Sequence, residues 1–162
     1  LYKHLRGAMD FDYIVIDCPP SLSLLTINAF VASHAITIPL QCEFYALEGL
    51  SQLMKTMERV KKNLNKELEI HGILLTMFDT RNRLSMQVAR DVREHFGKKV
   101  YKTIIPRNVR LSEAPSYGLP AIIYDTKCMG SQAYIRLASE IIRREKEEAR
   151  QQAKKFNNQE AA

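Results

Sequence analysis

The sequence predicts a layered α/β domain, a mostly parallel sheet with helices on both faces, on three observations. Apolar runs of strand length alternate four times with amphipathic helical patterns. The connections are short, and a parallel pair of strands needs a crossover, for which a helix is the usual solution. The 162 residues, 46% hydrophobic and 26% charged, suffice for one domain with a sizeable core.

The first strand is expected at about 12–17, within "FDYIVIDCPPS", an apolar run that ends in Asp17 and breaks on Pro19 and Pro20. "SLSLLTINAFVAS" follows; Ser21 can cap a helix whose face is Leu24, Leu25, Ile27, Asn28 and Val31. "AITIPL" (35–40) reads as a short buried strand. Leu47, Leu50, Leu53, Met54, Met57, Val60 and Leu64 then recur at helical spacing, giving a long amphipathic helix. "IHGILLTMF" (70–78) reads as a second buried strand, and "DTRNRLSMQVARDVREHFG" as a helix closed by Gly97. "VYKTIIP" (100–106) is a further strand leading into a Pro-containing loop, and "SQAYIRLASEIIRREKEEARQQAKKF" is a terminal helix.

The net charge of +6 makes a polyanion such as nucleic acid a reasonable partner, although charge alone decides nothing. Cys18, Cys42 and Cys128 are odd in number and far apart, with no C-x-x-C pair, so neither a disulfide framework nor a zinc site is indicated, which fits a reducing cytoplasm. No apolar run approaches the length of a membrane span, and "LYKHLRGAMD" lacks the apolar middle of a signal peptide. Leu rather than Met stands first, so the chain is expected to begin inside a longer reading frame.

In such sheets ligands sit beyond the carboxyl ends of the strands, where Asp17, Asp79 and Pro106 all fall. An acid at a buried strand tip costs desolvation unless something compensates it, and magnesium with its water shell does so in nucleotide-binding α/β proteins. A hydrophobic run plus Asp is thus the Walker B pattern, with an acid that merely caps a turn as the bland alternative. The two prolines after it fix φ twice and remove two amide donors, making a stiff turn that a bound phosphate could move as a unit.

"FDYIVIDCPPSLSLLTINAF", "PLQCEFYALEGLSQL", "GILLTMFDTRNRLS" and "IPRNVRLSEAPSYGLPAIIYD" together resemble the ParA/Soj family of chromosome and plasmid partitioning ATPases, over about residues 10–143. The resemblance implies a P-loop NTPase fold of the deviant Walker A (SIMIBI) type. Members of that family begin with a Gly-rich, lysine-bearing phosphate loop. The glycines at 7, 49, 72, 97, 118 and 130 nowhere form G-x-x-x-x-G-K-[ST]. The expectation is therefore the C-terminal part of such an ATPase, lacking its N-terminal strands. Residues 1–145 would be part of one domain and 146–162 a polar, frayed helical tail. Alone it should neither hold ATP and Mg²⁺ tightly nor hydrolyse ATP, and no catalytic residue is assigned within it.

The resemblance implies roles residue by residue. Asp17 matches the Walker B acid that contacts magnesium through water; Cys18, Pro19 and Pro20 match the switch segment. Related nitrogenase-type reductases bridge a cluster with cysteines, but no second cysteine here has a spacing that suggests one. Met77 and Pro106 would line the adenine, with core packing as the alternative for Met77. Arg81 and Arg110 match positions that contact DNA phosphates without reading bases. Arg83 and Arg107 share those loops and read as a solvated face. Tyr45 and Glu48 are candidates for a nucleotide-sandwich homodimer.

Three functions follow from the resemblance. The first is the C-terminal portion of a partition ATPase, cytoplasmic and nucleoid-associated, with ATP-gated dimerisation, non-specific DNA binding and stimulation by a ParB-type centromere-binding protein. The second is a truncated non-enzymatic remnant that keeps a DNA-binding or regulatory surface. The third, a MinD-like division-site regulator, needs an amphipathic membrane helix at the C-terminus. After Ile141 and Ile142 the tail offers only Ala149, Ala153 and Phe156, so no membrane contact is expected.

Overall fold

Two apolar segments at the centre of the chain pair in parallel and set the frame for everything else. The computed structural model describes residues 11–19 and 21–160. Strand β1 (Ala35–Gln41) pairs with β2 (Glu69–Thr76), with a register shift between Ile36 and Thr37. The crossover between them is α2 (Ala46–Asn63); α1 (Leu24–Ala32) precedes β1. After β2 come α3 (Arg83–Phe96), a 3₁₀ turn at Gly97–Lys99, the short helices α4 (Val109–Glu113) and α5 (Ala121–Tyr124), and the long α6 (Met129–Glu160).

Alternation along β2 directs its side chains to two cores. On one face Ile73 and Leu75, both wholly buried, pack with Ile38 and Leu40 of β1, Leu50, Met57 and Val60 of α2, and Val88, Ala89 and Val92 of α3. On the other, Leu74 packs with Tyr101, Ile105 and the Ala133 and Leu137 of α6. Burying each such large apolar side chain contributes roughly 1.5–3 kcal/mol. Helices thus cover both faces, as the alternating pattern predicts. Gly97, at φ +53, closes α3 by returning its N–H to Arg93 O, a backbone turn that favours glycine.

The stretch 100–106 lies alongside β2 but is not a continuous strand. Tyr101 N–H donates to Ile73 O and Ile105 N–H to Leu75 O, each at 2.9 Å. Between them the Lys102 and Thr103 amides turn away and donate to the Glu140 carboxylate of α6, each at 2.8 Å. Glu140 is only 5% exposed, and Arg144 completes its shell at 2.7 Å while also donating to Val100 O and covering the Tyr101 ring. A buried side chain has taken over two rungs of the ladder.

The expected strand at 12–17 is absent. Residues 11–17 have no ladder partner among the described residues and their side chains are exposed, Val15 to 89%. An apolar, β-branched run encodes the capacity to pair, and pairing needs a neighbour within hydrogen-bond reach. Tyr13 instead sends its hydroxyl to Glu145 of α6. The helix that follows has Ser23, not Ser21, at its N-cap position, with no side-chain cap bond; Ser21 uses its carbonyl to accept from the Thr26 hydroxyl. Its buried face is Thr26, Ala29 and Phe30, whereas Leu24, Leu25 and Val31 are exposed. At the other end of the chain Ile142 is likewise exposed, while Ile141 packs against the second core.

Candidate functional site

The loops after β2 and after residue 105 meet at the carboxyl edge of the sheet. Phe78 N–H donates to Ile105 O at 3.2 Å and Arg107 N–H to Phe78 O at 3.0 Å, so the two loops run side by side. This short bridge brings Met77, Arg81, Pro106, Arg107 and Arg110 to one edge. Met77 has φ +52, among the described residues the one non-glycine in that region. A bulky side chain rarely adopts this conformation, and such strain collects where a chain must aim groups at a ligand.

Both loops end in the same local device. Asn82 caps α3 by accepting from Leu84 N–H at 3.0 Å, and Asn108 caps α4 by accepting from Arg110 N–H at 2.9 Å. Ahead of the first cap, Asp79 accepts from the Arg81 amide. Each turn therefore fixes the base of an arginine whose guanidinium reaches solvent.

The guanidinium groups are paired. Arg81 meets Asp79 through two bonds, Nε to Oδ1 at 3.1 Å and NH2 to Oδ2 at 2.9 Å. That fork holds the Asp79 carboxyl down at about 2, well below the usual range. Arg110 meets Glu113 at 2.9 Å and lies 3.6 Å from Asp125, and Arg107 lies 3.4 Å from Glu43. Tyr124 donates to the same Glu113 oxygen at 3.2 Å and stacks on Tyr117. Three arginines thus face four carboxylates. The sequence placed Asp79 at the strand tip but not its pairing with Arg81, and Glu43, Glu113 and Asp125 were missed, although the spacings D-x-R at 79–81 and R-x-x-E at 110–113 are visible there.

Asp17 belongs to the run 11–17, which joins no strand among the described residues. It is exposed rather than desolvated, so the reason for placing magnesium at a buried strand tip does not hold in this structure. Cys18 and Pro19 border an open slot of about 990 Å³ whose other wall is β1. Pro20 lies outside the described residues. The slot's lining is largely apolar and, among the described residues, carries one charged side chain, Glu43, and no Lys or Arg. Triphosphate needs cations or a nest of amides; the residues of this slot therefore do not fit ATP with its magnesium. Among the described residues no group of three or more His, Cys, Asp or Glu is placed to hold a metal ion, and no helix is long and apolar enough to cross a membrane.

The backbone of β1 shows which side of it is open. His34 O accepts from Glu69 and Cys42 N–H donates to Thr76 O, so even-numbered residues turn to β2 and odd-numbered ones to the slot. Pro39 is on the slot side, where its missing N–H costs no rung of the β1–β2 ladder. Tyr45 and Glu48, candidates for a dimer contact, are both exposed at the start of α2.

Residues 3–70 match a family described as an AAA domain. The chain is 61% identical over 143 residues to the chromosome partitioning protein ParA of Caulobacter vibrioides, a match that takes in 88% of this chain and 54% of that protein. It is 59% identical over 132 residues to the sporulation initiation inhibitor protein Soj of Bacillus subtilis, covering 82% and 52%. The chain spans about half the length of the curated relatives it matches. Among solved structures, cobyrinic acid a,c-diamide synthase from Mycobacterium smegmatis superposes with a TM-score of 0.69 at 33% identity, over 88% of this chain and 51% of that one. The septum site-determining protein MinD from Pyrococcus horikoshii, complexed with Mg-ADP, gives 0.68 at 25% identity, over 86% and 53%. The α/β fold is that of these P-loop NTPase relatives.

Proposed function

Because the chain belongs to the ParA/Soj family of chromosome-partitioning proteins, we propose that it forms the base-side and DNA-facing part of a partition ATPase. The observation that carries this reading is the Phe78–Pro106 bridge, which gathers strained Met77, Pro106, Arg81 and Arg110 at one edge. Met77 and Pro106 line the adenine; Arg81 and Arg110 contact DNA phosphates. Asp17 corresponds to the Walker B acid, with Cys18, Pro19 and Pro20 as the switch that follows it, roles that belong to a longer ATPase in which the exposed run 11–17 is covered. Contacts to phosphate position DNA without reading sequence, so binding is non-specific and falls steeply with salt. In the working ATPase, ATP gates homodimerisation and a ParB-type partner stimulates hydrolysis.

A second reading holds for these 162 residues by themselves. The slot beside Cys18 and Pro19 offers no cation to a triphosphate, which favours a chain that binds DNA or a regulator but turns over no ATP. Both readings share the arginine edge. The test is equilibrium binding to unrelated duplexes over a salt series. Arg81→Ala and Arg110→Ala should each weaken binding about equally for every sequence and lower the salt slope by about one. A loss confined to one duplex would contradict phosphate contact; unchanged binding by both variants would remove these arginines from the interface.

A further inference from the structure

The arginines assigned to DNA are already occupied by partners that resemble DNA chemically. Asp79 presents two oxygens to the Arg81 fork at 2.9 and 3.1 Å, and Glu113 presents one to Arg110 at 2.9 Å. A carboxylate in this geometry fills the same paired N–H positions that two phosphate oxygens would use. These acids are not stray neighbours. Asp79 is fixed by the Arg81 amide at 3.0 Å, and Glu113 is held by the Tyr124 hydroxyl, itself stacked on Tyr117. The guanidinium groups, by contrast, sit at the surface, Arg81 with 88% of its side chain exposed. Exposed ion pairs are weak and screened by salt, so a dense row of phosphates can displace them.

We propose that Asp79 and Glu113 are built-in competitors of DNA phosphate, which keep the arginine edge charge-compensated until a polyanion displaces them. The inference rests on the DNA reading above and adds its regulation. A paired arginine releases fewer counterions from DNA than a free one, so the intact edge binds more weakly than its arginines alone would predict. Anything that draws Asp79 or Glu113 away, such as a partner's basic side chain, would raise DNA affinity without touching DNA. The two loops are joined by the Phe78–Arg107 backbone bond, so the pairs sit on neighbouring loops.

The experiment uses the 162-residue chain and a random-sequence duplex, read by fluorescence anisotropy between 50 and 200 mM salt on the order of the range where phosphate contacts titrate. Asp79→Asn keeps an oxygen for the Arg81 amide and removes the charge; Glu113→Gln removes the charge beside Arg110 and keeps an oxygen for the Tyr124 hydroxyl. Each should tighten binding about two- to fivefold near 0.1 M salt and steepen the salt slope by a fraction of one, since the paired arginine already supplies part of a phosphate contact. In the double variant Asp79→Asn with Arg81→Ala the gain should vanish, because it acts through that arginine. Two results overturn the proposal: neutralised variants that bind no tighter than the parent, or a gain that survives loss of Arg81, which marks a general field effect. Should Arg81→Ala and Arg110→Ala weaken binding while the neutralised acids leave it unchanged, only the competition fails. Should the alanine variants bind like the parent, the DNA reading fails with it.

Discussion

The two flanks of the central strand pair are built from similar apolar sequence and end in opposite states. On the β2 flank the chain supplies its own neighbours: 100–106 lies alongside, α6 covers it, and Tyr101 is wholly buried. On the β1 flank the strand's outer backbone groups face an open slot, and the apolar run at 11–17 stands in solvent. The difference shows what burial permits. A carboxylate is tolerated at 5% exposure on the closed flank because two amides and a guanidinium satisfy it. On the open flank even valine finds no partner.

Breaking the closed flank should give the largest effect. Glu140→Ala leaves the Lys102 and Thr103 amides and Arg144 unsatisfied and should cost roughly 3 kcal/mol in urea unfolding. The same group gives a pH signature. Burial raises its pKa, but the two amides and Arg144 outweigh this and hold the carboxyl below its ordinary value of 4.5. Its contribution is therefore full above that value and is lost as the pH falls through the depressed one. Unfolding curves between pH 7 and 3 should show a loss at the acid end that Glu140→Gln lacks.

Gly72→Ala comes next, since a Cβ there would lie under 3.0 Å from two carbons of the Tyr101 ring. Displacing a buried ring should cost about 2 kcal/mol. Tyr101→Phe keeps the ring and removes the hydroxyl that meets His71 Nδ1 and Thr37, for about 1 kcal/mol. On the open flank Val15→Ser should change stability by less than about 0.5 kcal/mol, because nothing packs on that side chain. A large loss at Val15 would mean that the open flank is closed in solution and would end the comparison.

Much of the fold was legible because it rests on period. The stripe Leu50, Met57 and Val60, the run 70–78 that contains most of β2 and the Gly97 stop each follow from spacing or backbone preference, although Leu47 and Leu64, at the ends of the predicted stripe, are exposed. What misled was any feature that depends on a neighbour far away in sequence. "YIVID" has strand composition whether or not a strand lies beside it, and the face of α1 could not be chosen without knowing what covers it. Glu140 shows a signal that could have been used: it lies three residues after buried Leu137 and four before Arg144, an acid inside an apolar stripe. The site followed the same rule. Arginines in two adjacent loops could be named from sequence, but their pairing with Asp79 and Glu113 comes from the turns that Asn82 and Asn108 organise.

The central claim is that this chain carries the closed, base- and DNA-facing flank and leaves the phosphate side open. Calorimetric titration of the 162-residue chain with ATP, with and without magnesium, tests it most directly. The account predicts at most weak binding, with a Kd on the order of millimolar or worse and no gain from magnesium, since the slot offers triphosphate no cation. Micromolar, magnesium-dependent binding would contradict it and would mean that residues on the open flank assemble a phosphate site of their own.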